Sequence, residues 1–320
     1  MSPNSWICLH PSNATQTTVS LDNRGLAYGD GFFTTMGVID GQILWLDYHQ
    51  QRLVSHAVAL QLQLDSFSLL TVLKTHAKQL QQGMLKLIIT RAEQEVRGYG
   101  YTPNTGGGSA CEIWLKSSPM AITTARSLPL ANNQSIPLQP TASAICLSSQ
   151  IACLPPTLAG LKSLNRLDNV LASGELNAIK AQASQALKEN IKPSIAEGLL
   201  RDISGHWVEG TMSNVFYQLV EEPVAKSSNR PHSQNNSNSN YLTQGQWYTP
   251  SMAQSGVAGV VRQVIIDTLS TSNNPVIIRS LQDEDLLHLS QLFFCNALRG
   301  IMPMSSLRLL SGEVVSFEAI

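Results

Sequence analysis

Charge is scarce in this chain. Acidic and basic residues make up 13% of its 320 residues and nearly cancel, leaving a formal net charge of −1. No Lys/Arg cluster offsets that balance, so a nucleic-acid partner has no electrostatic footprint here. Cysteine is equally sparse. The five (Cys8, Cys111, Cys146, Cys153 and Cys295) are scattered and show no Cys-x-x-Cys spacing. That argues against a disulfide framework or a structural zinc site and for a reducing cytoplasm. No apolar run approaches the roughly 20 residues that cross a bilayer. The start, Met1-Ser2-Pro3-Asn4, lacks the basic and apolar regions of a secretory signal. What remains is a chain of 43% hydrophobic residues, long enough for one large or two moderate domains with real cores.

The pattern predicts a mixed α/β protein. Phe32 to Ile39, Asp40-Gly41 and Gln42 to Leu46 read as a hairpin, because Asp-Gly suits the two positive φ angles of a type I′ turn. Asp47 is placed to cap a helix running to about Leu62, with Leu53, Val54, Ala57 and Leu60 on its buried face. A second helix runs from about Phe67 to Gln82 and ends on Gly83 as its C′ residue. Met84 to Arg91 and Cys111 to Lys116 read as strands, joined by a flexible loop containing Arg97-Gly98-Tyr99-Gly100-Tyr101 and Gly106-Gly107-Gly108. These elements set a smaller first domain at 1–120, a linker at 121–140 and a larger second domain at 141–320. The second domain contains the Lys162 turn, a helix from about Asn165 to Leu187 and strands near Ile195 to Asp202, Trp207 to Val208 and Met212 to Val220. Residues 221–246, rich in Ser, Asn and Gln, read as a disordered insertion. A helix over Gly256 to Thr268 follows, and Leu292 to Ala297 closes on a last buried strand.

Three segments carry chemistry-bearing residues: Tyr28-Gly29-Asp30-Gly31-Phe32-Phe33-Thr34-Thr35, Ala159 to Leu167 around Lys162, and Val208-Glu209-Gly210-Thr211-Met212-Ser213-Asn214. A lone lysine carries no information. In company, Lys162 suits an amine that holds an aldehyde cofactor and moves a proton. Acting as a base near neutral pH would require its pKa to fall from the ordinary value of roughly 10.4. Glu209 suits a carboxylate facing a pyridine nitrogen, and Asn214 could orient it or a nearby loop backbone. Gly256-Val257-Ala258-Gly259-Val260-Val261-Arg262 resembles a glycine-rich helix start, whose N–H groups attract an anion. Arg52 could add a guanidinium. Asn296 suits a ligand contact or a turn.

With these residues in this order, the chain resembles the fold-type IV pyridoxal-phosphate family, which holds branched-chain and D-amino-acid aminotransferases and aminodeoxychorismate lyases. The resemblance spans nearly the whole chain outside the Ser/Asn insertion. It implies two α/β domains with pyridoxal 5′-phosphate between them, usually in a homodimer. It implies that Lys162 forms the Schiff base and that Glu209 serves the pyridine nitrogen, with Asn214 counted among the cofactor-binding residues. Arg52, Val260, Val261, Asn296 and Ala297 would hold the phosphate. Phe33-Thr34-Thr35, Lys162-Ser163-Leu164-Asn165-Arg166-Leu167 and Arg97-Gly98-Tyr99 look like the lyases rather than the aminotransferases. Phe33, Arg97, Tyr99 and Arg166 would then line the substrate site, Arg97 and Tyr99 meeting the carboxylates of a dicarboxylic substrate, and Thr34 or Thr35 would relay a proton.

Overall fold

The computed structural model describes residues 5–10, 18–103, 108–122, 126–130, 135–186, 195–220 and 241–317. Gly106, Gly107 and most of the 221–246 insertion lie outside the described residues. The chain divides into two compact units, Met1–Thr123 with Leu154–Leu167, and Thr124–Cys153 with Asp168–Ile320. Among the described residues no helix is long and apolar enough to cross a membrane.

The first unit is built from β1 (Trp6–His10), α1 (Arg24–Tyr28), β2 (Gly31–Ile39), β3 (Gln42–Ile43), α2 (Leu46–Ala59), α3 (Ser66–Leu80), β4 (Gly83–Arg91) and β5 (Cys111–Pro119). Its antiparallel sheet runs β1-β5-β4-β2-β3. The Asp40-Gly41 turn forms as the sequence predicts, with φ of 51° and 68°. Strand alternation makes the core: Phe32, Met36 and Val38 of β2 and Leu85, Leu87 and Ile89 of β4 pack with Leu53 and Ala57 of α2 and Leu73 and Ala77 of α3. Each large side chain buried this way stabilises by about 1.5–3 kcal/mol.

Local readings differ in three places. Asp47 is not the N-cap of α2. Trp45 holds that position in the left-handed region, and Asp47 lies in the first turn, where its charge faces the positive end of the helix. Val54 is 45% exposed. The buried face is His49, Arg52, Leu53, His56 and Ala57 instead, a helical spacing that hydrophobicity alone cannot recognise because three members are polar. Gly83 opens β4 rather than ending α3, since α3 stops at Leu80. A Cβ there would meet the Ser118 carbonyl oxygen at 2.3 Å.

The second unit contains β6 (Arg126–Pro129), β7 (Ser135–Leu138), β8 (Ala142–Ile151), α4 (Leu167–Ala186), β9 (Ile195–Asp202), β10 (Trp207–Gly210), β11 (Asn214–Leu219), β12 (Tyr248–Thr249), α5 (Val260–Leu269), β13 (Ile277–Ile278), β14 (Leu289–Asn296), β15 (Gly300–Arg308) and β16 (Val314–Ser316). Strands β8, β9, β10, β11, β14 and β15 pair in sequence and close on themselves as a ring. Alternate residues divide between two cores. Ala144, Cys146, Leu199 and Trp207 enter one cluster, and Ile145, Leu147, Leu200 and Val208 enter the other with Ala172 and Leu176 of α4.

Three expectations change here. The stretch taken as linker holds the β6–β7 hairpin, and β7 pairs with β15. The strand ending near Ala297 is not the last, because β15 runs back along it, with Pro303 opposite Phe293. A proline inside a run reads against a paired strand. Residues 154–167, expected in the second domain, belong to the first unit. They are tied to β2 by Phe33 N–H donating to the Lys162 carbonyl at 3.0 Å and Leu164 N–H donating to the Gly31 carbonyl at 3.0 Å.

Candidate active site

In the first unit, Lys162 lies on the segment that pairs with β2, where Phe32 and Ser163 form an antiparallel bridge. Its Nζ stands 4.6 Å above the centroid of the Phe33 ring, and its backbone N–H donates to His56 Nε2 at 2.9 Å. That bond fixes the His56 tautomer, since an accepting Nε2 leaves the proton on Nδ1, beside Ser55 Oγ at 3.2 Å. The His56 ring also meets Phe32 edge-on at 5.3 Å. Burial, then the nearby cations Arg52 and Lys162, push the His56 pKa down to about 3. Arg52 is buried as well, which pushes its pKa down to about 10.

Alternation along β2 separates the two threonines. Thr34 is fully buried with Phe32 and Met36, and its Oγ1 lies 2.9 Å from His49 Nδ1. Thr35 takes the other face, the one that carries Phe33. The structure therefore commits Thr34 to a core hydrogen bond and leaves Thr35 on the Lys162 face. Arg166 reaches Ser163 Oγ at 3.4 Å, within the lysine segment itself. Arg97 and Tyr99 sit on the exposed loop after β4. Lys162, Phe33, Thr35, Arg52 and Arg166 thus come from the β2–α2–Lys162 part of the unit, and Arg97 and Tyr99 from that separate loop.

In the second unit a bulge decides where Glu209 points. Trp207 pairs with Arg201 but Glu209 pairs with Leu200, so the register slips by one at Val208. Without the slip Glu209 would follow Trp207 into its cluster. With it, Glu209 shares the side of Leu200. Asn214 lies directly opposite on β11. Glu209 Oε2 accepts from Val257 N–H at 2.9 Å and Oε1 from Asn169 Nδ2 at 3.4 Å. Asn214 Nδ2 donates to the Val257 carbonyl at 2.8 Å. Both groups of the Val257 backbone are therefore held by the same strand pair.

The segment so held leads into α5. Gly259 is its N-cap and supplies no side-chain cap, so the first-turn N–H groups, Val260 and Val261 included, are open to an external acceptor. A Cβ on Gly259 would lie 1.9 Å from Asn214 Oδ1, which is why only glycine fits this approach. Arg262 turns inward and donates to Thr249 Oγ1 and the Pro250 carbonyl. Asn296, at the end of β14, accepts from the N–H groups of Leu298 and Arg299 at 3.1 and 2.8 Å. Its carbonyl oxygen thus shapes the turn that contains Ala297.

Sequence reasoning missed His49, His56 and Asn169. His49 and His56 could have been found from their spacing around Arg52, three and four residues away on one helix face. Asn169 carries no local signal, because its meaning depends on Glu209, forty residues on. Each unit by itself carries groups that suit a phosphorylated pyridine aldehyde. The first has the Lys162 amine and the buried Arg52 guanidinium; the second has the buried Glu209 carboxylate and a helix N-terminus at Gly259 without a side-chain cap.

Known proteins agree with that chemistry. An aminodeoxychorismate lyase from Vibrio harveyi is 24% identical over 295 residues, covering 91% of this chain and 88% of the relative. The crystal structure of 4-amino-4-deoxychorismate lyase from Pseudomonas aeruginosa superimposes with a TM-score of 0.70 at 28% identity, covering 96% of this chain and 93% of that one. The branched-chain amino acid aminotransferase of Escherichia coli shares the fold, with a TM-score of 0.63 at 18% identity over 95% of this chain and 86% of its own. The profile of the amino-transferase class IV family matches residues 31–307, and the chain belongs to that family of pyridoxal-phosphate-dependent enzymes.

Proposed function

We propose that the protein is a 4-amino-4-deoxychorismate lyase, converting its substrate to 4-aminobenzoate and pyruvate. The observation that carries this reading is the face of β2 shared by Phe33 and Thr35, with the Lys162 amine above the Phe33 ring. In this reading an aromatic surface and a hydroxyl share a strand face with the amine that moves the proton. The likeness to lyases from Vibrio harveyi and Pseudomonas aeruginosa supports it.

Pyridoxal phosphate, when bound, supplies an electron sink for a carbanion at the carbon bearing the substrate amine. Lys162 would hold its aldehyde carbon, Glu209 its ring nitrogen, and Arg52, Asn296, Ala297 and the Val260 and Val261 N–H groups its phosphate. Asn214 keeps the Val257 backbone against Glu209. As a neutral amine, Lys162 takes the proton from the amine-bearing carbon. The carbon–oxygen bond to the enolpyruvyl group then breaks, its electron pair leaving on oxygen. A proton delivered to the methylene carbon of that enol, with Thr35 as relay, completes pyruvate, and the six-membered ring becomes aromatic. Arg97 and Tyr99 orient the substrate carboxylates, while Phe33 and Arg166 border the ring. The reading includes a homodimer, which sedimentation would test.

Supplying aminodeoxychorismate to the loaded enzyme and following pyruvate with a coupled assay tests the reaction. Pyruvate release that falls about 10²–10⁴-fold in Lys162→Ala is expected. Amino-group exchange with a keto acid, without pyruvate, would reject the lyase in favour of an aminotransferase.

A further inference from the structure

The Asp of Gly29-Asp30-Gly31 is the centre of a buried ion cluster that the proposed chemistry does not use. Asp30 Oδ2 accepts from Arg24 Nε and from Arg91 Nε, each at 2.9 Å, and Arg91 Nη2 reaches Oδ1 at 3.3 Å. Both guanidiniums are about 5% exposed. Arg91 directs its remaining donors to the carbonyls of Leu60 and Gln61 at the end of α2. Arg24 does something different. Its two terminal nitrogens reach the Gly98 carbonyl at 3.4 Å and the Tyr99 carbonyl at 3.2 Å, at the tip of the loop that carries Arg97.

Among the described residues, that tip has little else to hold it. Tyr99 is 85% exposed, and around Gly98, at φ +69°, a Cβ would meet nothing within 4 Å. The base of the loop is closed by Gln94 and Thr102, bonded both ways at 3.1 and 2.8 Å, and by Tyr101 under the Arg91 guanidinium at 3.8 Å. Between base and tip, the Tyr99 ring touches Tyr28 edge-on at 5.3 Å, and Tyr28 itself lies against the Arg24 guanidinium at 5.1 Å. An exposed loop with few apolar contacts does not order itself. Its pose is set by whatever rigid group grips its backbone.

We infer that Arg24 is a positioning residue. Its fork on the Gly98 and Tyr99 carbonyls, braced by Asp30, fixes the stance of Arg97 and Tyr99 and thereby the enzyme's affinity for a dicarboxylic substrate. The affinity part rests on the proposed function; the grip on the loop does not. Lysine at position 24 would keep a cation beside Asp30 but could not span two carbonyls.

The test uses the full-length, cofactor-loaded enzyme as wild type, Arg24→Lys, Arg97→Ala and the double variant. Tryptic cleavage between Arg97 and Gly98, read by mass spectrometry, should speed up about tenfold or more in Arg24→Lys, with thermal midpoint and cofactor absorbance unchanged. KM for aminodeoxychorismate should rise about tenfold with kcat within about threefold, the size expected from losing charge-assisted bonds. The double variant should be no worse than Arg97→Ala, because one residue acts through the other. Unchanged cleavage, a fall in kcat with normal KM, or additive effects on KM would each overturn the inference. A normal KM in Arg97→Ala would instead show that the proposed carboxylate contact is wrong. The cleavage rate would still decide whether Arg24 grips the loop.

Discussion

A side chain's face decides its chemistry before its type does. Thr34 and Thr35 are adjacent and identical in kind, yet one sits in the core against His49 and the other on the Phe33 face. Thr34→Val should leave kcat near normal while costing about 1–3 kcal/mol of stability, because it strips His49 Nδ1 of its partner. Thr35→Val should do the reverse, slowing pyruvate formation with an unchanged urea midpoint. Arg52 is the matching case among charged residues. Burial lowers its pKa to about 10, because desolvation disfavours the charged form. Arg52→Gln should weaken cofactor binding about tenfold or more, measured by titrating absorbance.

Among the elements, α5 shows most clearly what can be read from sequence. Gly256 to Arg262 was visible as a glycine-rich helix start, and the helix begins within it, at Val260. What was not visible is why Gly259 must be glycine, since the reason is Asn214, forty-five positions away. Gly259→Ala should therefore overpack the junction and cost about 1–3 kcal/mol, a drop of a few degrees in thermal midpoint, with cofactor affinity falling in the same variant. The bulge at Val208 tells a similar story. Trp207-Val208-Glu209 reads as plain alternation, and only the register against β9 turns Glu209 toward Asn214 and Val257. Hairpins, long helices and the order of motifs were legible because they are written in neighbouring residues. Strands β6, β7 and β15 were not, because proline and polar residues mask pairings made far along the chain. The polar face of α2 was missed for the same reason: His49, Arg52 and His56 are buried to serve groups outside the helix.

At the scale of the whole molecule, buried histidines tie stability to pH. His49 and His56 are both held below their ordinary pKa, by burial first and by Arg52 next. The unfolded chain therefore binds more protons once pH drops below about 6.5. Stability is fullest above that value and declines as pH falls toward 3, by at most about 1.4 kcal/mol per pH unit for each histidine. Urea unfolding between pH 7 and 5, above the range where carboxylates titrate, should show this slope. His56→Gln should reduce it by one proton's share.

The excursion of residues 154–167 into the first unit has a consequence for synthesis. The ribosome completes β2 some 120 residues before the segment that engages Phe33 N–H and the Gly31 carbonyl. A nascent chain paused between Thr123 and Leu154 would carry an almost finished first sheet with part of one rim unguarded. Such a rim pairs readily with another strand. Lys162 thus arrives on the stretch of backbone that covers the rim at Gly31 and Phe33, so the amine comes into place as that part of β2 is paired.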